Sequence, residues 1–439
     1  MKKILIIIIA ILLFIIFSFE THAITNPLAV PNNIYGMGVV NLSDFKDVSD
    51  IVNNNGSWGY IKIVLTENDR DKEVLQNFFD NLRRNKLIPI LRIATKYNQD
   101  KNYWEKPKYE EMDNWISFLN SLNWVTLNRY IIIANEPNHS KEWGGEINPQ
   151  EYATFLKEFS LKLKNSNSDY FVLNAGFDQS APNSSKTMDE ALFLKRMLKK
   201  EPDLFNYIDG WNSHSYPNPN FSGKPTDTGR KSIKGYKWEL DYLSALGVKK
   251  ELPVFITETG WIYKQNSEDT ISQNFKYSFE NVWANDNKIV AVTPFILNYL
   301  TEPFYHFSWK KDENTYYKVY QEIKDLKKVE GKPTQRINGK IIFSFLNPFT
   351  IKNRSQKGYV LVKNTGQAIW YENDLRIKGP NKNIQIQNIS LNSLEPFRTG
   401  LVVYTLKHPD QESLEDINLG LFVADEKIGD VFSGSIVSF

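Results

Sequence analysis

The 439-residue chain contains no cysteine. A disulfide, a thiol nucleophile, a lipobox anchor and a thiolate metal site are therefore all excluded. An exported chain without disulfides must rest on its core, and this length allows a large one. There is no basic stripe or arginine-rich arm, and the net charge is only +2, so nucleic acid is not an expected partner. The densest lysine stretch, 324–332, is interleaved with Asp325 and Glu330 and reads as a solvated helix face. The chain also lacks a His-Glu-x-x-His pair, a calcium loop and a phosphate-cradling glycine loop, so neither a metal nor a cofactor is expected.

What the chain does have is an apolar N-terminus and many aromatics. Lys2 and Lys3 precede an apolar run over 4–17, and a short polar region then ends in Thr21-His22-Ala23. Basic, apolar and small-residue regions in that order read as a secretory signal peptide, with cleavage expected after Ala23. The alternative is an uncleaved anchor, because the run to Phe19 is nearly long enough to span a bilayer. In both cases the lysines stay inside and the rest is exported, to an extracellular or cell-surface location. Aromatics make up 14% of the chain, with 11 Trp and 22 Tyr, and most of them are expected in the core.

The chain is organised around residues 129–138, R-Y-I-I-I-A-N-E-P-N. Tyr130 to Ala134 is a short apolar run with three β-branched isoleucines, which fits a strand buried on both faces of a parallel sheet. Pro137 stops it and biases Glu136 away from helix. A second stretch, L-P-V-F-I-T-E-T-G-W over 252–261, repeats the pattern: apolar strand, then Glu258, then Gly260 as breaker. The gap between the two glutamates has room for three strand–helix units of an eight-unit α/β barrel of about 250 residues. Glu136 would close strand four and Glu258 strand seven, and their lips can face each other across the barrel mouth.

Short apolar strands and helical stripes alternate on either side. Strands are expected at 34–40, 58–65, 87–94, 170–175, 207–214 and 289–297. Helices are expected at 45–52, 71–85, 109–122, from 149, and at 188–199, 237–246, 270–284 and 316–328. Pro149 opens the fourth helix, Gly247 is a C-cap candidate, and 217–235 is a long loop of the kind that often carries function. Eight alternations with no intervening strand cluster predict a closed (β/α)8 TIM barrel over 33–331. Beyond Gly331-Lys332-Pro333 the helical period vanishes. Apolar runs at 341–346, 359–363, 384–389, 401–406 and 419–424, broken by Asn, Gly and Pro, predict a smaller all-β sandwich over 335–439.

Three tripeptides now fall in order after strands four, six and seven: Asn135-Glu136-Pro137, His214-Ser215-Tyr216, and Thr257-Glu258-Thr259 with Gly260-Trp261 behind it. With them the chain resembles glycoside hydrolase clan A, the retaining (β/α)8 glycosidases, in its cellulase-like and xylosidase-like branches. The likeness runs from about Ile34 to Lys328. Val362-Lys363-Asn364-Thr365-Gly366, with Trp370 four residues on, is similar to immunoglobulin-like appendages of secreted enzymes.

The resemblance implies a retaining hydrolase of β-linked oligo- or polysaccharides, working without a cofactor. Glu136 would be the acid/base, its pKa raised by apolar surroundings and nearby negative charge. Glu258 would be the nucleophile, kept ionised by hydrogen bonds. Asn135 would bond the sugar 2-hydroxyl, and Arg92 would lie near the nucleophile. His214 or Tyr216 would orient Glu258 or line the sugar site. Trp261 would stack on a sugar face, and either Tyr299 or Trp309 would floor the cleavage subsite. The loop 137–149, with Trp143, and the loop after strand six would shape the cleft. A monomer is expected, touching a membrane only through an uncleaved N-terminal segment. The competing possibility is a non-catalytic carbohydrate-binding or scaffold protein on the same barrel.

Overall fold

The computed structural model describes residues 24–53, 57–379, 385–408, 410 and 412–439. The N-terminal segment read as signal peptide or anchor lies outside the described residues. Among the described residues no helix is long and apolar enough to cross a membrane.

Eight short strands carry the first part of the chain: β1 (Gly36–Gly38), β2 (Gly59–Leu65), β3 (Leu87–Ile93), β4 (Arg129–Ile133), β5 (Tyr170–Leu173), β6 (Trp211–Ser213), β7 (Val254–Ile256) and β8 (Ile289–Val292). β1 to β5 pair in sequence order and so do β6 to β8, all in parallel. Parallel bridges Leu173–Gly210 and Tyr35–Val292 join the two runs and close the barrel. The helices around it are α1 (Phe45–Asn53), α2 (Lys72–Arg84), α3 (Glu111–Asn120), α4 (Pro149–Ser166), α5 (Glu190–Lys200), α6 (Gly235–Ala245), α7 (Glu268–Ser278) and α8 (Lys318–Asp325).

Local signals explain several boundaries. The Asp71 carboxylate caps α2 by accepting from the Glu73 and Val74 amides, and the Asn148 side chain caps α4 from the Glu151 amide, with Pro149 at the first turn. Gly247, at φ +97°, ends α6 as a left-handed cap. β8 stops at Val292 rather than 297, because Pro294 cannot donate to a ladder. The helix expected to 284 stops at Ser278 and continues as a π turn, Phe279–Trp283. A two-residue hairpin, Tyr97–Asn98 with Tyr103–Trp104, stands on the loop after β3 and was not expected.

Strand alternation sorts the barrel side chains into two cores. Ile61, Ile63, Leu91, Ile131, Ile133 and Val172 face outward and pack with the helices. Tyr60, Ile88, Ile90, Tyr130, Ile132, Phe171, Leu173, Phe255 and Val290 fill the interior, where Ile24, Leu28 and Trp58 pack against them from below. Asn128 donates to the Thr25 carbonyl at 2.7 Å, and Asn32 to that of Val290 at 2.7 Å, so residues 24–32 seal the end where the strands begin.

The remainder is a β-sandwich of two four-stranded sheets. One pairs Gly339–Phe345, Ser355–Asn364, Thr399–Lys407 and Gln385–Ser390; the other pairs Phe349–Thr350, Glu426–Ser438, Ser413–Val423 and Leu375–Lys378. Trp370, Val360, Val402, Tyr404 and Leu421 are at its core. The 364–367 segment docks on the barrel. Asn123 donates to the Gly366 carbonyl at 3.2 Å, Gln367 donates to that of Thr126 at 2.9 Å, and Arg336 pairs with Asp169 at 3.1 Å. Arg84 grips Glu395 through two bonds of 2.6 and 2.7 Å. All four barrel partners precede a strand, so the sandwich covers the pole opposite the C-terminal strand ends.

Candidate active site

The C-terminal end of β4 is bent sharply. Ala134 and Glu136 both have positive φ, +72° and +28°, a conformation that costs a non-glycine residue on the order of 1–3 kcal/mol. The bend is fixed by the Glu136 amide donating to the Gly176 carbonyl at 3.0 Å and by the His139 amide donating to the Glu136 carbonyl at 2.9 Å. Asn135 and Glu136 are thereby turned out of the strand and into the mouth.

The opposite lip supplies Glu258, directly beyond β7 and only 8% exposed. One oxygen from each of Glu136 and Glu258, and a ring nitrogen of His214, lie within 4.8 Å of one another. His214 stands between the carboxylates, its Nδ1 at 2.9 Å from Glu136 Oε1 and 3.7 Å from Glu258 Oε2. Tyr216 donates its hydroxyl to Glu258 Oε2 at 3.2 Å. Burial, with the Glu258 and Glu136 charges, holds that phenol well above its ordinary pKa, so it remains a neutral donor.

The tightest partner of Glu258 is Lys62, which the sequence reading passed over. Its Nζ sits 2.8 Å from Glu258 Oε1, and the residue is 3% exposed. Lys62 lies in β2 two residues beyond Tyr60, on the interior face of the barrel. A lysine within the apolar run Tyr60-Ile61-Lys62-Ile63-Val64 was the available signal, since a buried ammonium requires a partner. Arg92 adds a second cation, with Nη1 at 3.6 Å from Glu258 Oε1, and also bonds the Asn135 side-chain oxygen. Burial alone would raise the Glu258 pKa. The charges of His214, Lys62 and Arg92 outweigh it and hold the carboxyl well below the usual carboxylate range. A metal ion is a poor fit to Glu136, His214 and Glu258, because Lys62 and Arg92 already stand at 2.8 and 3.6 Å from Glu258 Oε1 and the Tyr216 hydroxyl bonds Oε2, the oxygen that faces His214.

Asn135 completes this side by donating to Glu142 Oε2 at 3.2 Å. Burial and the Glu136 charge push the Glu142 carboxyl up. Six of the sequence-derived residues therefore converge: Arg92, Asn135, Glu136, His214, Tyr216 and Glu258.

Two tryptophans do not join them. Trp261 and Trp309 are each 1% exposed and meet Phe275 of α7 edge-on, at 4.9 and 5.0 Å between ring centres. Trp261 also donates to the Gly223 carbonyl at 2.7 Å. Both are wedged between the lip and α7 and offer no face to a ligand. Trp143 is likewise buried, donating to Glu151 at 2.9 Å, so it braces its loop from beneath. Tyr299 stays partly exposed in a group with Phe304, Phe295, Phe307, Phe221 and Tyr216. Phe295, three residues past β8, Phe304, Phe307 and Phe221 are members of this group that are not among the sequence-derived candidates.

Gly176 matters through what it leaves out. A Cβ there would overlap the His214 ring. Gly176→Ala is expected to displace the imidazole from between the carboxylates and lower kcat/KM about 10²-fold, the usual consequence of an ångström-scale misplacement. Steady-state kinetics beside a melting curve check this, and an Ala variant with native activity would contradict the packing.

No family model matches the chain, and neither does any curated protein. Solved structures similar to it include a family 39 glycoside hydrolase from Bacteroides cellulosilyticus, 14% identical over 86% of this chain and 82% of that one, with a TM-score of 0.47. An endo-β-1,4-glucanase from Xanthomonas axonopodis pv. citri is 10% identical over 66% and 98% of the two chains, with a TM-score of 0.44. A Thermomonospora fusca β-mannanase, solved as a mannotriose complex, is 14% identical over 66% and 88%, also with a TM-score of 0.44.

Proposed function

We propose that the protein is a retaining glycoside hydrolase acting on β-linked glycans outside the cytoplasm. The observation that carries this is the carboxylate pair, two oxygens within 4.8 Å in one mouth, with one partner held ionised by a buried lysine. Retaining enzymes space their carboxyl groups about 5–5.5 Å apart, and inverting ones about 6.5–9.5 Å to admit a water.

The chemistry follows from the two environments. Glu258, anionic between Lys62 and Arg92, attacks the anomeric carbon. Glu136 gives its proton to the departing glycosidic oxygen, and an ester links sugar to Glu258. Glu136 then takes a proton from water as the water attacks the same carbon, and Glu258 leaves as carboxylate. Asn135 reaches the mouth beside them, suitably placed for a hydroxyl adjacent to the reacting centre. The basic-apolar-small N-terminal pattern supports export.

The test is to incubate the purified protein with cello-, manno- and xylotetraose and follow the anomeric protons by NMR. The expected first product has the configuration of the substrate. Inverted product would replace the double displacement with a single one. Binding without any turnover would favour a carbohydrate-binding scaffold.

A further inference from the structure

His139 and Asp178 are the charged pair at the lip that the double displacement leaves unused. His139 lies on the β4 loop, three residues past Glu136. Asp178 lies on the β5 loop, two residues past Gly176 and bridged by its backbone to His214. His139 Nε2 is 2.8 Å from Asp178 Oδ2, and the two side chains are 20% and 30% exposed. Asp178 Oδ1 also accepts from the Ser180 amide at 2.8 Å, while Asn138 binds the Asp178 and Met188 carbonyls at 2.9 and 3.1 Å. The pair is thus rigidly mounted and still open to solvent. Burial works against charging His139, but Asp178 and the Glu136 charge outweigh it and push the imidazole pKa up. Asp178 is held below its usual range despite burial, chiefly by that ring.

Direction within the mouth decides what such a pair could touch. The nucleophile and the acid act on opposite sides of the anomeric carbon, so the leaving group departs on the Glu136 side. The β4 and β5 loops are the elements joined to Glu136 there, through the Glu136–Gly176 and His139–Glu136 backbone bonds. Nε2 and Oδ2 face each other, so a pyranose ring would meet His139 Nδ1 and the remaining lone pairs of the Asp178 carboxylate, a donor and an acceptor for two neighbouring hydroxyls.

We infer that His139 and Asp178 form the binding site for the leaving-group saccharide, which rests on the glycosidase reading. Hydrogen bonds to charged groups of this kind are worth about 10- to 100-fold in binding.

The experiment compares two substrate types on wild type, His139→Ala and Asp178→Asn. One type is cello-, manno- or xylotetraose, whose leaving group is a sugar. The other is the 2,4-dinitrophenyl glycoside of the matching disaccharide, whose leaving group carries no hydroxyls for the pair. The quantity read is the ratio of kcat/KM for the tetraose to that for the aryl glycoside. It is expected to fall at least 10-fold in both variants. An unchanged ratio, even with both rates reduced, would overturn the inference and leave the pair as a structural tie between loops. If one variant fails to fold, the other decides. Wild-type inactivity on both substrates is a different failure: it removes the glycosidase reading, and this inference with it.

Discussion

Glu258→Ala is expected to lower turnover by about 10⁴- to 10⁶-fold, the scale seen when a covalent nucleophile is removed. Two cations remain behind it, Lys62 and Arg92, now facing a cavity the size of the lost carboxymethylene group. That cavity invites a small anion. Adding azide is expected to restore part of the turnover, with the glycosyl azide formed in the configuration opposite to the ester intermediate's own product. Loss of the buried carboxylate also strands the Lys62 ammonium, whose pKa burial already lowers, so the variant is expected to melt at a lower temperature. Glu258→Gln, which keeps the shape and a hydrogen-bond acceptor for Lys62, separates folding from chemistry. Turnover within 100-fold of wild type in a folded Gln variant would remove Glu258 from the nucleophile role.

Lys62→Met is expected to have the second largest effect. The carboxylate at 258 then keeps Arg92 at 3.6 Å and the Tyr216 hydroxyl at 3.2 Å but loses the partner at 2.8 Å. The sign follows from the direction of the shift. A depressed pKa means that Glu258 stays ionised below the usual carboxylate range, so in the wild type it sets no acid limb near pH 5. Removing an opposite charge at contact distance raises a carboxyl by about 1–3 pH units. Activity is lost as pH falls through that raised value, so the acid limb of kcat/KM moves upward in the variant. The loss at neutral pH is expected to be about 10²-fold, comparable to deleting one preorganised electrostatic contact. Destabilisation should be less than the roughly 3–5 kcal/mol of an orphaned buried charge, because Arg92 still faces the carboxylate. A pH profile superimposable on wild type would show that Lys62 is a packing residue only.

Glu136 and Glu258 were legible in the sequence because each follows a β-branched apolar run and is trailed by a breaker, Pro137 at once and Gly260 two residues on. That pattern depends on neighbours in the chain, and such patterns survive without coordinates. Lys62 depends instead on which strand face points inward. Residues 58–65 read as a strand with apolar residues on both faces, so the interior pair Tyr60 and Lys62 does not stand out from the chain alone. Trp261 and Trp309 sit at the lip in sequence, yet Phe275 of α7 captures both, and only the packing of a distant helix decides that. The strand Glu426–Ser438 escaped for a related reason. Its charges and glycines blur the alternation, and it becomes a strand by pairing along its length with Ser413–Val423. The acidic end of that strand gives no hint of its partner.

The sandwich sits on the pole where the barrel strands begin, and residues 24–32 seal that same pole. The candidate site lies at the opposite pole, beyond the C-terminal strand ends. In the glycosidase reading, length selection falls to the loops beyond β1 to β8, and deleting the domain at the closed pole is expected to leave it unaltered.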